Sequence, residues 1–132
     1  MASDAEQQIT WSSSNSSSIA SGGTDTSDVE SLSDGAIQAT VMVKASNNGT
    51  PASGDTVDFS FLYTVGDPDG SSTDEYTTEE HSYTVRADTN TEDPAILLVS
   101  LPLPLSSIKI KANNNASSNG ITVSATLYEQ TA

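Results

Sequence analysis

From Thr56 to Val65, apolar and polar residues alternate for ten positions. Val57, Phe59, Phe61, Tyr63 and Val65 fall on one face, and Thr56, Asp58, Ser60 and Thr64 on the other, with Leu62 the one exception. A period of two predicts a strand buried on one face, because successive side chains point to opposite sides of a sheet. Both phenylalanines of the chain sit here, so this strand is expected to run through the middle of the core. Asn48-Gly49-Thr50-Pro51 before it and Gly66-Asp67-Pro68-Asp69-Gly70 after it read as turns.

Ile37, Ala39, Val41, Val43 and Ala45 alternate with Gln38, Thr40, Met42 and Lys44 as a second strand. It is expected to pair with the first as an antiparallel hairpin with a long loop. His81, Tyr83 and Val85 alternate with Ser82, Thr84 and Arg86 in a shorter strand. Ala95 to Leu101 is a nearly continuous apolar run. That is the pattern of a strand covered on both faces, or of one whose outer face meets a partner. Pro102 and Pro104 end the run, since proline cannot donate to a sheet ladder. Next, Ile108, Ile110 and Ala112 point inward with Lys109 and Lys111 outward. After a polar turn, Ile121, Val123, Ala125 and Leu127 are set against Thr122, Ser124, Thr126 and Tyr128.

No window shows a capped helical period of useful length. Several short strands joined by polar turns predict an all-β protein, an antiparallel β-sandwich of jelly-roll-like kind with a polar N-terminal arm. An immunoglobulin-type sandwich is the alternative, although its Cys–Trp–Cys hallmark is absent. Residues 1–34 are rich in Ser, Thr, Asp and Gly, and Ser12 to Ser18 is low-complexity. They read as an arm or tail with a short strand at 7–11, and residues 35–132 as the sandwich domain. Within the arm, Ile9 and the only tryptophan, Trp11, flank Thr10. The plain reading is a flexible tail; the sharper one is an arm that orders on a partner, with Trp11 as anchor.

Composition narrows the function. Four Lys plus Arg against eighteen Asp plus Glu give a net charge of −14. A field of that sign repels phosphate backbones and anionic lipid, so neither nucleic-acid nor membrane partners are expected. Without cysteine, disulfides, thiolate metal sites and cysteine nucleophiles are ruled out. The start, Met1-Ala2-Ser3-Asp4-Ala5-Glu6, lacks the basic and apolar parts of a signal peptide, and a soluble protein made in a cytoplasm is expected.

Candidate chemistry is sparse. His81, the only histidine, follows Glu79 and Glu80 and is expected to open a strand rather than act as a catalytic base. There is no Gly-x-Ser-x-Gly elbow, so no catalytic residue is assigned, no cofactor is expected, and the chain is read as non-enzymatic. Asp67, Asp69, Asp74 and Glu75 cluster around Gly70. Hard oxygen ligands around a glycine turn are what calcium loops use, but the spacing departs from the EF-hand pattern. A solvated acidic loop and a weak calcium site are the two readings. Trp11, Tyr76 and Tyr128 are too scattered for a sugar-stacking platform.

The stretches Gly49 to Phe59, Leu62 to Gly70, Glu92-Asp93-Pro94-Ala95 and Ile121 to Gln130 together resemble the small acidic virion proteins of tailed bacteriophages. The resemblance is to the capsid decoration, cement or minor structural type. It covers roughly residues 36–130, and its motifs are turns and strands, not a catalytic set. It implies a β-rich structural protein on the virion surface that binds the major capsid protein or other virion proteins. It also implies a homo-oligomer, a trimer above all. Partner contact is expected from the arm, through Ile9 and Trp11, or from the apolar run, through Ile96 and Leu98. A tail or head-fibre-associated role, or a carbohydrate-binding or adhesion module, is the alternative.

Overall fold

The computed structural model describes residues 3–33, 35–52, 54–64, 81–86, 94–103 and 107–131, and among them there is no helix. The ten strands are β1 (Ser3–Ile9), β2 (Ser17–Ile19), β3 (Thr24–Thr26), β4 (Glu30–Ser31), β5 (Ala36–Asn47), β6 (Thr56–Thr64), β7 (His81–Arg86), β8 (Ala95–Ser100), β9 (Ser107–Asn114) and β10 (Ile121–Thr131). They form two antiparallel sheets. The first runs β1-β10-β5-β8, with β2 also on β10; the second runs β3-β9-β6-β7, with β4 also on β9.

The alternation read in the sequence fixes the inner faces. Val41, Val43 and Ala45 of β5 and Ile121, Val123 and Leu127 of β10 are fully buried from the first sheet. Val57, Phe59 and Phe61 of β6 and Ile108, Ile110 and Ala112 of β9 are fully buried from the second. All belong to one apolar cluster, so the layers close on each other as a sandwich.

The strand order is that of a jelly roll. Counting β1 with β2 and β3 with β4 as single interrupted strands leaves eight, and the chain then follows the doubly wound Greek-key order, crossing between sheets at every connection except β6 to β7. This settles one pairing against the sequence reading. β5 and β6 lie in different sheets, so the segment between them is an arch across the core and not a hairpin. Periodicity fixes which face of a strand is buried but is blind to which sheet the strand joins.

The N-terminal segment is a second correction. It is neither tail nor detachable arm, and the boundary proposed at residue 34/35 does not divide two units. β1 pairs with β10 from Ser3↔Thr131 to Ile9↔Ala125, and β2 continues along the same strand from Ser17↔Val123 to Ile19↔Ile121. β3 and β4 do the same for β9, from Thr24↔Asn113 to Thr26↔Lys111 and from Glu30↔Ile108 to Ser31↔Ser107. Residues 3–31 therefore edge both sheets on one side. Their stabilisation comes from backbone ladders, which a serine-rich composition does not reveal. Ile9, Trp11 and Ile19 add the apolar anchors, at 0%, 2% and 4% exposure.

Between β1 and β2, which run in the same direction along β10, the chain loops out through a two-residue turn. Trp11 N donates to Ser14 O (2.6 Å) and Ser14 N to Trp11 O (2.9 Å), around Ser12 and Ser13 at φ 48° and 68°. Two successive left-handed residues are the type I′ pattern, which Asn-Gly fills with least strain. Replacing Ser12-Ser13 by Asn-Gly is expected to stabilise the protein by about 1 kcal/mol, read as a higher urea midpoint at unchanged m. An unchanged or lower midpoint would show that the serines are not strained there.

A third correction concerns Ile37. The β5–β10 register slips between Gln130↔Gln38 and Thr131↔Ala36, so a bulge takes Ile37 out of phase with Ala39. Ile37 is 55% exposed, not inward as its place in the alternation predicts.

Candidate partner-binding surface

β8 ends the first sheet, next to β5, with register Thr40↔Ser100, Met42↔Leu98 and Lys44↔Ile96. Val99 is buried inward, whereas Ile96 and Leu98 point outward at 54% and 64% exposure. The apolar run is thus a strand with one covered face and one open face among the described residues. Met42 lies beside Leu98 on the outward side and extends the apolar surface onto β5.

The backbone of β8 is also placed for a partner. Leu101 N donates to Ala39 O (2.9 Å), the opposing pair just beyond Thr40↔Ser100. In an antiparallel ladder such pairs alternate, so Val99, Leu97 and Ala95 turn their N–H and C=O groups toward β5. Ile96, Leu98 and Ser100 turn theirs away, and among the described residues no strand pairs with that edge. Beyond the end of β8, a groove of about 380 Å³ is lined by Ile37, Gln38, Thr40, Ser100, Leu101 and Leu103. A second hollow of about 320 Å³ shares Gln38 and Thr40 and reaches Tyr128 and Glu129.

Of the residues singled out for partner contact, Ile96 and Leu98 stand on this surface. Ile9 and Trp11 do not: both are core side chains, Trp11 because the Ser12-Ser13 turn folds it back under the sheet edge. Sequence reasoning missed Met42 and Ile37. Met42 was legible as an apolar residue on the polar face of its alternation. Ile37 was hidden by the bulge. The calcium candidates Asp67, Asp69, Asp74 and Glu75 lie outside the described residues, as does Tyr76. His81 opens β7 opposite Phe61. Among the described residues, no three acidic or histidine side chains gather as metal ligands.

The opposite end of the sandwich is closed by a polar plug. Asp55 Oδ2 accepts from Asn47 Nδ2 (2.7 Å), Ala52 N (3.1 Å) and Asn119 Nδ2 (3.4 Å). Gly49 fits because a Cβ there would stand 2.7 Å from Asn119 Oδ1. The Ala52 N–H first, then Asn47 and Asn119, hold the Asp55 carboxyl below its ordinary 3.8, against an opposing push from burial. A depressed folded-state value stabilises the protein above 3.8, and the gain is lost as pH falls through the folded value. Asp55→Asn is therefore expected to be less stable than the parent at pH 7, with the gap closing in acid below 3.8. Urea titrations across that range check this, and a gap independent of pH would refute it. Glu30 shifts the other way, raised by burial and then by the nearby Glu129 carboxylate, so its contribution improves as pH falls.

No protein-family model matches the chain, and no curated protein matches it in sequence. Among solved structures, it is similar to a chain in the structure of infectious bursal disease virus Gt strain, with a TM-score of 0.50 and 12% identity. The match covers 97% of this chain and 36% of that one. The two share a fold. PirA is similar at a TM-score of 0.41 and 14% identity, over 97% of this chain and 92% of that one. The Clostridium thermocellum xylanase 10B modules CBM22-1-GH10 are similar at 0.45 and 15%, over 94% of this chain and 24% of that one. The chain thus spans about a third of the viral chain and a quarter of the xylanase chain.

Proposed function

We propose that this chain is a non-enzymatic structural protein of a virion that decorates or stabilises a bacteriophage capsid by binding its major capsid protein. The observation that carries the reading is the jelly-roll order of the strands, an architecture used by viral capsid domains as well as by lectins and cupins. The likeness in fold to a chain of a virus structure supports it. So does the open apolar surface of Ile96, Leu98 and Met42, the kind of patch that marks a protein-interaction site on an otherwise acidic molecule. The competing sugar-binding reading needs exposed aromatic rings. Trp11, Phe59, Phe61 and Tyr63 are buried, and Tyr128 is only half-exposed.

Quantitative mass spectrometry of purified phage particles tests the proposal. A copy number equal to that of the major capsid protein, or a simple fraction of it, is the expected result. A handful of copies would move the protein to a tail or vertex, and absence from the particle would overturn the virion reading.

A further inference from the structure

We propose that the edge of β8 left unpaired among the described residues pairs with the same edge of a second copy of this chain, antiparallel about a two-fold axis at Leu97, joining two first sheets into one. The pairing deepens the virion reading by naming the contact through which the protein associates with itself, and it rests on that reading only for its purpose.

Three observations select a second copy as the occupant. First, the edge is open to a strand. Among the described residues, Ile96, Leu98 and Ser100 direct backbone donors and acceptors outward with no strand beside them, a row that an added extended chain can pair. Second, the edge lacks the usual protection. Ala95 to Ser100 contains no charge and no proline, whereas β1 carries Asp4 and Glu6, β3 carries Asp25, and β7 carries His81 and Arg86. Third, charge selects this side. A molecule of net charge −14 repels its copies wherever carboxylates meet. The outward positions of β8 and its neighbour β5, namely Ile96, Leu98, Ser100, Thr40, Met42 and Lys44, include no carboxylate.

The backbone narrows the register to a two-fold at Leu97 or at Leu98, and the side chains select Leu97, which sets Ile96 against Leu98 and not against Ser100. Residues facing each other across a two-fold must both point their hydrogen-bonding groups to the new ladder, which Ile96 and Leu98 do. With Leu97 on the axis, Ile96 of each copy stands opposite Leu98 of the other, and Met42 and Lys44 flank each pair. The result is an apolar stripe on the outer face, made of apolar cross-strand pairs. An isologous contact of this kind closes at two copies.

Sedimentation velocity on the full chain, between roughly 1 and 100 μM, tests the pairing. A reversible monomer–dimer equilibrium is expected. Leu98→Lys should weaken it by roughly tenfold or more, since each dimer then holds two new lysines at the seam. Val29→Lys, an exposed apolar position between β3 and β4 and away from this edge, should leave it unchanged. Because the chain has no cysteine, Leu97→Cys gives a register test: under mild oxidation it should cross-link faster than Ser100→Cys. A monomer throughout, a trimer, or a dimer indifferent to Leu98→Lys would overturn the pairing. A monomer that still occupies particles would leave the virion reading standing; a dimer absent from particles would do the reverse.

Discussion

Trp11→Ala should cost about 3–5 kcal/mol, the range for removing a large buried aromatic side chain. The residue sits 2% exposed in the apolar cluster, held by the turn that links β1 to β2. Trp11→Phe should cost far less, about 1 kcal/mol or under. The indole Nε1 is buried and finds no acceptor among the described residues, so phenylalanine removes an unsatisfied donor along with some volume. Urea unfolding of both variants decides the matter. Equal losses would mean that the indole nitrogen does have a partner, and a negligible loss in the alanine variant would return the segment to the status of a tail.

The second large effect is expected at Asn114. Its side chain is fully buried at the end of β9, where Nδ2 donates to Ile19 O (2.9 Å) and Asn119 O (3.0 Å) and Oδ1 accepts from Ala116 N (2.8 Å). Its backbone meets Gly22 and Gly23, at the crossing from the first sheet to the second. Asn114→Leu keeps the branched shape but strips three backbone groups of their partner, at about 1–3 kcal/mol each where burial persists. A loss of about 3 kcal/mol or more is expected in chemical denaturation, together with faster amide exchange in β2. A change under about 1 kcal/mol would show that water replaces the lost bonds.

These two residues also mark where the sequence was legible. β5, β6, β9 and β10 announce themselves through long alternation, with side chains on one face such as Phe59 and Ile110 dense enough to require burial. The strands of residues 3–31 do not, because β2, β3 and β4 are two or three residues long and borrow their order from the ladders of β9 and β10. Trp11 read as part of a flexible tail or as an anchor for a partner because nothing in a serine-rich context predicts the turn that tucks it inward. Asn114 read as one more residue of a polar loop, since the pattern of side chains cannot distinguish a solvated asparagine from one wired to three backbone groups. At the candidate surface the pattern left two readings. The nearly continuous apolar run from Ala95 to Leu101 allowed a strand covered on both faces or one with an outer face left for a partner, and the exposure of Ile96 and Leu98 excludes the first among the described residues.

The pairing of Ser3 with Thr131 has a consequence for how the protein is made. Within this fold, β1 to β4 are completed by β9 and β10, which are synthesised well after them, so the jelly roll closes only when synthesis has passed Thr131. Contacts of such long sequence separation make for slow folding, on the order of milliseconds to seconds. Until then the chain carries an unfinished core, and its excess of carboxylates over basic residues opposes the association of one unfinished chain with another.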